Sequence, residues 1–227
     1  MNKKYLSFIG TIILLGVVFF SFSQRQYLKD LYIVKTTDVQ SRSQVVGDQL
    51  QLTDKANFIY QASQPSIQSA EQFNQSCRDV SKEYSIVLGC YTQQKLFVFD
   101  VSDERLDGVV QVTAAHELLH GVYERLTQAE KNDIDTKLTA FAATVQDRRF
   151  NDTVEQYKKA EPDHVTNELH SMVGTELADL PPEIENYYSR YFTNRATVVT
   201  YAKQYEDALE QFSTDIKAYD QELRSLE

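Results

Sequence analysis

Apolar residues near the end of the chain recur at alternating spacings of four and three. The positions are Val198, Ala202, Tyr205, Leu209, Phe212, Ile216, Tyr219, Leu223 and Leu226, and most residues between them are charged or polar. A heptad pattern of this kind is typical of a long helix that buries one stripe of side chains. It predicts a heptad helix over 193–227, which either packs within the chain or pairs with a second copy in a homodimer.

An uncharged run of Ile, Leu, Val and Phe lies at the other end of the chain, from Tyr5 to Ser23. Its length just reaches the thickness of a bilayer core, and the preceding Lys3 and Lys4 favour a cytoplasmic N-terminus. The run therefore predicts a signal anchor over 1–23, a transmembrane helix that holds a single-pass protein at the cell surface. A cleaved signal peptide, which would give a secreted protein, is the alternative interpretation. Residues 24–52 are predicted to be a juxtamembrane spacer.

The central part of the chain combines helical patterns with one β-rich region. Thr53-Asp54 predicts a helix cap, and a second helix is expected over 67–77. Two β-rich runs, 85–91 and 95–101, are separated by three polar residues and predict a hairpin. Further helices are expected over about 109–126, 127–150 and 162–181, where the second begins with a capping box and the third is bounded by prolines.

The strongest chemical signal is His116-Glu117-Leu118-Leu119-His120, in the helix predicted over 109–126. Residues four apart share one face of a helix, so both imidazoles can reach one metal ion. Apart from Glu117, the segment from Gln111 to Tyr123 carries neither a formal charge nor a proline, and buried polar groups are costly unless something binds them. The pattern predicts a Zn²⁺ site in which Glu117 takes a proton from the attacking water. Two histidines satisfied within the core are the alternative.

The motif resembles that of the HExxH metallopeptidases, the zincins. Tyr123 and Leu126 stand where the metzincin branch needs a glycine and a third histidine, so that branch is excluded. The gluzincin branch takes its third ligand from a later Glu-x-x-Ser/Ala pattern, which Glu168 to Ser171 resembles. The resemblance, to small minigluzincin-like proteins, implies His116, His120 and Glu168 as zinc ligands and Glu117 as the catalytic base.

The resemblance also implies a fold and a substrate. The expected fold class is α+β and mainly helical, with a zincin-like core over 53–192 and a small sheet beside the HExxH helix. The expected substrate is a peptide or protein. In gluzincins the strand before the active helix pairs with extended substrate, which makes Lys95 to Val101 the candidate edge strand. The β-branched and aromatic content of this run is equally typical of an ordinary core strand, which is the alternative and is slightly favoured.

Glu176 is a rival to Glu168 for the third ligand, since it falls in the middle of the apolar face of the predicted helix. A carboxylate in that position must be paired or bound to metal. Gluzincins often place an aspartate four residues after the third ligand, and this chain has Met172 there. The group that orients His116 or His120 is therefore not identified by the resemblance.

Other polar residues near these segments have both functional and structural interpretations. His164 and His170 could act at the site or could be unconnected with it. Tyrosines and arginines follow the proline pair at Pro181-Pro182, and they could stabilise an oxyanion or form an aromatic core; they are Tyr187, Tyr188, Arg190, Tyr191 and Arg195.

Composition adds two constraints. The net charge of −10 and the sequence pI of about 4.9 argue against a phosphate-binding surface, so no nucleic-acid partner is expected. Cys77 and Cys90 are the only cysteines, and in an exported domain such a pair predicts one disulfide, with two free thiols as the alternative.

A different class of function is also consistent with the sequence. The chain could be a membrane-anchored interaction or scaffold protein that binds its partner through the heptad helix. Its metal site would then be structural or inactive.

Overall fold

The computed structural model describes residues 14–16, 20, 24–78 and 88–225. Contacts divide the chain into two units, Met1–Asp38 and Val39–Glu227. The first unit contains helix α1 (Arg25–Thr36). All the other elements named below belong to the second unit.

The prediction of an N-terminal transmembrane helix is wrong for the part of the chain that the structure describes. No helix among the described residues is both long and apolar enough to cross a membrane. Most of the predicted anchor, residues 1–13, 17–19 and 21–23, lies outside the described residues. An uncharged run supplies the composition of a membrane span, but a span also needs about 20 residues in one continuous helix. The prediction of a single-pass protein anchored at the cell surface depended on that helix and is corrected with it.

The second unit begins with helices α2 (Ser41–Gln49) and α3 (Asp54–Ala62). Thr53 caps α3 as expected, because its hydroxyl accepts a hydrogen bond from the backbone N–H of Ala56. Strand β1 (Ser66–Gln68) and helix α4 (Ala70–Ser76) follow. The single helix predicted over 67–77 is therefore too long, since its first residues pair with a strand instead.

A three-stranded sheet in the order β1-β3-β2 is completed by strands β2 (Gly89–Thr92) and β3 (Lys95–Phe99). Strands β2 and β3 form an antiparallel hairpin, and its two turn residues, Gln93 and Gln94, have φ values of 52° and 61°. Positive φ at both positions matches the right-handed twist of the two strands. Strand β1 pairs in parallel with β3. The predicted hairpin strand over 85–91 is seen only from Gly89, and residues 79–87 lie outside the described residues.

Six helices form the rest of the described unit, with 3₁₀ turns at Glu104–Leu106 and Pro162–His164. They are α5 (Val109–Glu124), α6 (Gln128–Ala142), α7 (Arg148–Ala160), α8 (Val165–Glu176), α9 (Pro182–Tyr188) and α10 (Arg195–Ser225). Both hydrogen bonds of the predicted capping box at the start of α6 are present. The helix predicted over 127–150 is two helices, because Asp147 caps a new one by accepting from the N–H of Phe150.

Helix α5, which carries the HExxH motif, lies at the centre of this unit. Ten of its 16 residues are buried. It packs against helices α2, α3, α8 and α10 on some sides and against strands β2 and β3 on another. The histidines and Glu117 are therefore held by a helix that the core fixes from several directions.

The tyrosines and Arg195 that follow the proline pair form part of the core. Tyr188 and Tyr191 are fully buried. The guanidinium of Arg195 is 4% exposed and donates to the backbone carbonyls of Leu177 (2.7 Å) and Ala178 (2.9 Å). It also forms an ion pair with Glu185 at 2.6 Å. Arg195 thus satisfies the carbonyls that follow α8 and stabilises the end of that helix. Its role is structural, and it does not stabilise an oxyanion.

Replacing Arg195 by methionine is expected to lower the free energy of unfolding by about 3 kcal/mol, because buried carbonyls lose their donors. For a unit of this size, that loss lowers the melting temperature by roughly 6–12 °C, which calorimetry can measure. Arg190→Met is the matched control: Arg190 is 41% exposed and pairs with Glu130 at 3.3 Å. Its loss is expected to cost less than about 1 kcal/mol. Equal effects of the two substitutions would contradict the assigned role.

Candidate metal centre

Helices α5 and α8 pack against each other and bring three predicted ligands together. His116 and His120 lie one turn apart on α5, and their ring centroids are 4.9 Å apart. Glu168 lies in the first turn of α8. One carboxylate oxygen, Oε2, is 3.4 Å from Nε2 of His116, and the other, Oε1, is 3.6 Å from Nε2 of His120. Both imidazoles therefore point at the same carboxylate.

These three side chains can hold a metal ion. One ligand atom from each lies within 4.8 Å of the other two. Two atoms bound at about 2.0–2.1 Å to a tetrahedral zinc are about 3.3–3.4 Å apart, which is close to the 3.4 and 3.6 Å between the Glu168 oxygens and the two imidazole nitrogens. Oε2 of Glu168 is buried and forms no hydrogen bond with the described residues. A buried carboxylate oxygen in that state is costly unless a cation or proton accompanies it, so the donor set fits a bound cation.

The electrostatics of the cluster favour an anionic third ligand. Burial alone would raise the pKa of Glu168, but His120 and His116 hold it at about 2. Burial would lower the pKa of His116, and the adjacent Glu168 more than reverses that effect and raises it. Glu168 is therefore ionised at neutral pH. A metal ion would replace the positive charge that a protonated histidine supplies in its absence.

Two neighbouring hydroxyl groups support the ligands. Ser171 Oγ lies 3.3 Å from Nδ1 of His120, which leaves Nε2 of that ring turned toward the metal position. The Tyr157 side chain on α7 lines the same cleft as Glu168 and helps to lower the pKa of that carboxyl group. Ser171 is the orienting group that the sequence did not identify, although its place in the Glu-x-x-Ser pattern was the signal for it.

Glu176, the rival third ligand, belongs to a different cluster. Its carboxylate accepts a hydrogen bond from Arg149 of α7 at 2.9 Å, and Arg149 also pairs with Glu206 of α10. Glu176 lies two helical turns after Glu168, so the same face of α8 carries both carboxylates. Arg149 satisfies the half-buried Glu176, and the group of possible metal ligands among the described residues contains Glu168 instead.

Glu117 lies beside the ligand cluster and is 7% exposed. Burial raises its pKa to about 7, although the nearby His120 lowers it. Strand β2 passes unusually close to this carboxylate: a Cβ atom added at Gly89 would lie 2.7 Å from Oε1 of Glu117 and 2.5 Å from Cγ2 of Thr113. The lack of a side chain at Gly89 thus allows the strand to cover the carboxylate.

The two other histidines differ in their environment. His170 is fully buried, and its Nε2 lies 2.8 Å from the hydroxyl of Tyr187. Burial lowers the pKa of His170 to about 3. It therefore belongs to the aromatic core behind the ligand helix. His164 is exposed, and it lies at the rim of the cleft described next.

A cleft of about 800 Å³ opens in front of the cluster and is lined by all three ligands and by Glu117. Strand β2 forms one wall, while Tyr157, Arg149 and Tyr205 contribute to others. The prediction that the strand over 95–101 faces the substrate is wrong, because β3 is the central strand and is paired on both sides. Strand β2, which pairs only with β3 in the described sheet, is the one beside the cleft.

A disulfide joins Cys90 of β2 to Cys77 at the end of α4. Both cysteines are buried beside Phe73. The covalent link closes a short loop and fixes the strand that covers Glu117 to the neighbouring helix. In chain-entropy terms, such a loop stabilises the folded state by about 3 kcal/mol.

No family model matches the chain, and neither the curated proteins nor the solved structures contain a significant match to it.

Proposed function

We propose that this protein is a zinc-dependent metallopeptidase of the gluzincin type. The observation that carries the proposal is the convergence of His116, His120 and Glu168 on one position at the base of a cleft, with Glu117 beside them. Two imidazole nitrogens and one carboxylate oxygen are a donor set that suits zinc. Magnesium and calcium prefer sites built from oxygen ligands alone.

The number of ligands supports a catalytic rather than a structural metal. Structural zinc sites are closed by four protein ligands, whereas catalytic sites keep one position open. Three protein ligands lie together among the described residues, and all of them line the cleft. The fourth position of a bound zinc ion would therefore face the cleft, where water and substrate can reach it.

Each residue of the site has a part in the proposed hydrolysis. His116, His120 and Glu168 would hold the ion, and a bound zinc ion would supply a Lewis acid that lowers the pKa of water and polarises the scissile carbonyl. Glu117 takes a proton from the attacking water as the new carbon–oxygen bond forms. When the carbon–nitrogen bond breaks, Glu117 passes that proton to the departing amine, leaving a carboxylic acid and an amine.

The environment of Glu117 suits both halves of this cycle. Burial raises the pKa of Glu117 above that of a free carboxyl group, which makes its carboxylate a stronger proton acceptor. A nearby divalent cation favours the ionised form, so the base is ready before water is activated.

Strand β2 is the proposed binding edge for an extended peptide. It borders the cleft, and its described sheet partner, β3, leaves one edge of β2 without a strand. An extended substrate can add to such an edge through backbone hydrogen bonds, which bind any sequence. The substrate side chains would then alternate between the cleft and the solvent.

The proposal is tested by metal analysis of the purified protein together with hydrolysis of a mixture of quenched fluorogenic peptides. The expected result is about one zinc ion per chain, activity that a chelator removes, and recovery on adding zinc. Purified protein that binds no zinc would overturn the proposed metal. Stoichiometric zinc without hydrolysis of any peptide would overturn the proposed reaction.

A further inference from the structure

Helix α10 has two parts with different surroundings. In its first part, Val198 and Ala202 are buried against the core. From Ile216 to Arg224, every residue is exposed. This second part includes large apolar side chains, with Ile216 and Tyr219 each 66% exposed and Leu223 64% exposed. The helix thus continues for more than two turns beyond the surface that stabilises its beginning.

These exposed residues continue an apolar stripe that begins with Leu209, which is 38% exposed, and Phe212, which is half-buried beside Arg105. We call the five residues of this stripe the distal seam: Leu209, Phe212, Ile216, Tyr219 and Leu223. Their spacing of three and four puts them on one face of the helix. A short helix with few packed neighbours is only marginally stable in water. A contiguous apolar stripe on such a helix is typical of a surface that another helix covers.

Charges beside the distal seam indicate what covers it. With Leu209, Ile216 and Leu223 as heptad a positions, Asp215 and Glu222 occupy g positions and Asp220 occupies an e position. The basic residues Lys217 and Arg224 lie further from the seam, and Arg224 pairs with Asp220 at 2.8 Å. The positions that flank a partner helix are therefore predominantly acidic.

A second copy of this chain fits these flanks poorly. In a parallel pair of distal seams, Asp215 of one copy would face Asp220 of the other. In an antiparallel pair, g positions face g positions, so Asp215 and Glu222 would meet carboxylates again. Like charges at these positions destabilise a coiled coil. An anionic membrane surface is disfavoured for the same reason, because helices that lie on such membranes carry Lys and Arg beside their apolar face.

We propose that the distal seam docks a partner helix whose own apolar stripe is flanked by lysine or arginine. The apolar residues would supply the buried contact, and the acidic flanks would select a basic partner over a second copy of this chain. This inference is independent of the metal centre and of the proposed peptidase activity.

The test uses the full chain and two synthetic 21-residue helical peptides with identical leucine seams. One peptide carries lysine at every e and g position, and the other carries glutamate. By fluorescence anisotropy, the lysine peptide is expected to bind at least about ten-fold more tightly, with an advantage that 1 M salt removes. Equal affinity for the two peptides, or binding of neither, would overturn the proposal.

Two sets of variants keep the test specific to the distal seam. Ile216→Asp combined with Leu223→Asp should weaken binding of the lysine peptide at least about ten-fold, while the melting temperature stays unchanged because both residues are exposed. Asp215→Lys, Asp220→Lys and Glu222→Lys together should reverse the preference between the peptides. If the charge-reversed protein kept the original preference, the peptide would bind elsewhere and the proposal would be contradicted.

Sedimentation tests the alternative occupant. A dimer that the lysine peptide cannot dissociate would assign the distal seam to a second copy of this chain and would also overturn the proposal.

Discussion

Replacing Glu117 by glutamine is expected to leave zinc bound while lowering the rate of peptide hydrolysis by about 10²–10⁴-fold. Glutamine has nearly the same size and can occupy the space beneath Gly89, but its amide cannot accept the proton of the attacking water. Because Glu117 is not in the ligand cluster, the metal content should stay near that of the unchanged protein. The measurement is kcat/KM with a fluorogenic peptide, together with the zinc content of the same sample.

A control for this substitution is Glu155→Gln on α7. Glu155 is exposed, and its described ion pair is with Lys158 in the same helix. Its replacement changes the net charge by the same amount and is expected to leave hydrolysis unchanged. A zinc-loaded Glu117→Gln protein with full activity would rule out Glu117 as the base.

The metal ligands themselves are expected to give the second large effect. His116→Ala and His120→Ala should each weaken zinc binding by at least about 100-fold and remove measurable activity, because each deletes one of three protein ligands. Competition with a chromophoric chelator measures the affinity. Ser171→Ala removes only the hydroxyl beside His120 and is expected to weaken zinc binding by about 10–100-fold.

A comparison of two glutamates separates the assigned ligand from its rival. Glu168→Gln should lower zinc affinity, whereas Glu176→Gln should keep it, since Glu176 is paired with Arg149 instead. A decrease in zinc affinity confined to Glu176→Gln would reverse the assignment of the third ligand. Thermal unfolding with and without zinc gives an independent check, because a protein that binds zinc only when folded is stabilised by it.

Local sequence identified the candidate ligands, with Glu176 left as a rival to Glu168. The spacing of His116 and His120 follows from helix geometry, and the apolar flanks of the motif predict the buried helix that α5 is. Glu168 was placed by a local pattern and by resemblance, and the structure brings it to both histidines. The capping groups Thr53 and Thr127 also act where their short motifs predict.

Features that depend on distant parts of the chain were not predictable from local patterns. Strand β1 has three residues and exists through its parallel pairing with β3, about 30 residues later in the sequence. The central place of β3, and hence the role of β2 as the strand beside the cleft, follows from that pairing. The sequence predicts that Glu176 needs a partner, but that partner, Arg149, lies on another helix.

The predicted transmembrane helix illustrates a different limit. The uncharged run from Tyr5 to Ser23 satisfies a rule about composition, whereas a membrane span also requires continuous helical geometry. No helix of the described residues meets both conditions. For the paired histidines, in contrast, spacing and chemistry agree.

The contact between Gly89 and Glu117 limits how the cleft can be redesigned. Changing substrate preference would naturally begin with strand β2, because its residues border the bound peptide in the proposed mode. Position 89 has no room for variation: even a methyl group would collide with the carboxylate or with Thr113. A shift of strand β2 to make room for that methyl group would disturb the burial that raises the pKa of Glu117. A mutant library that randomises β2 should therefore leave Gly89 fixed.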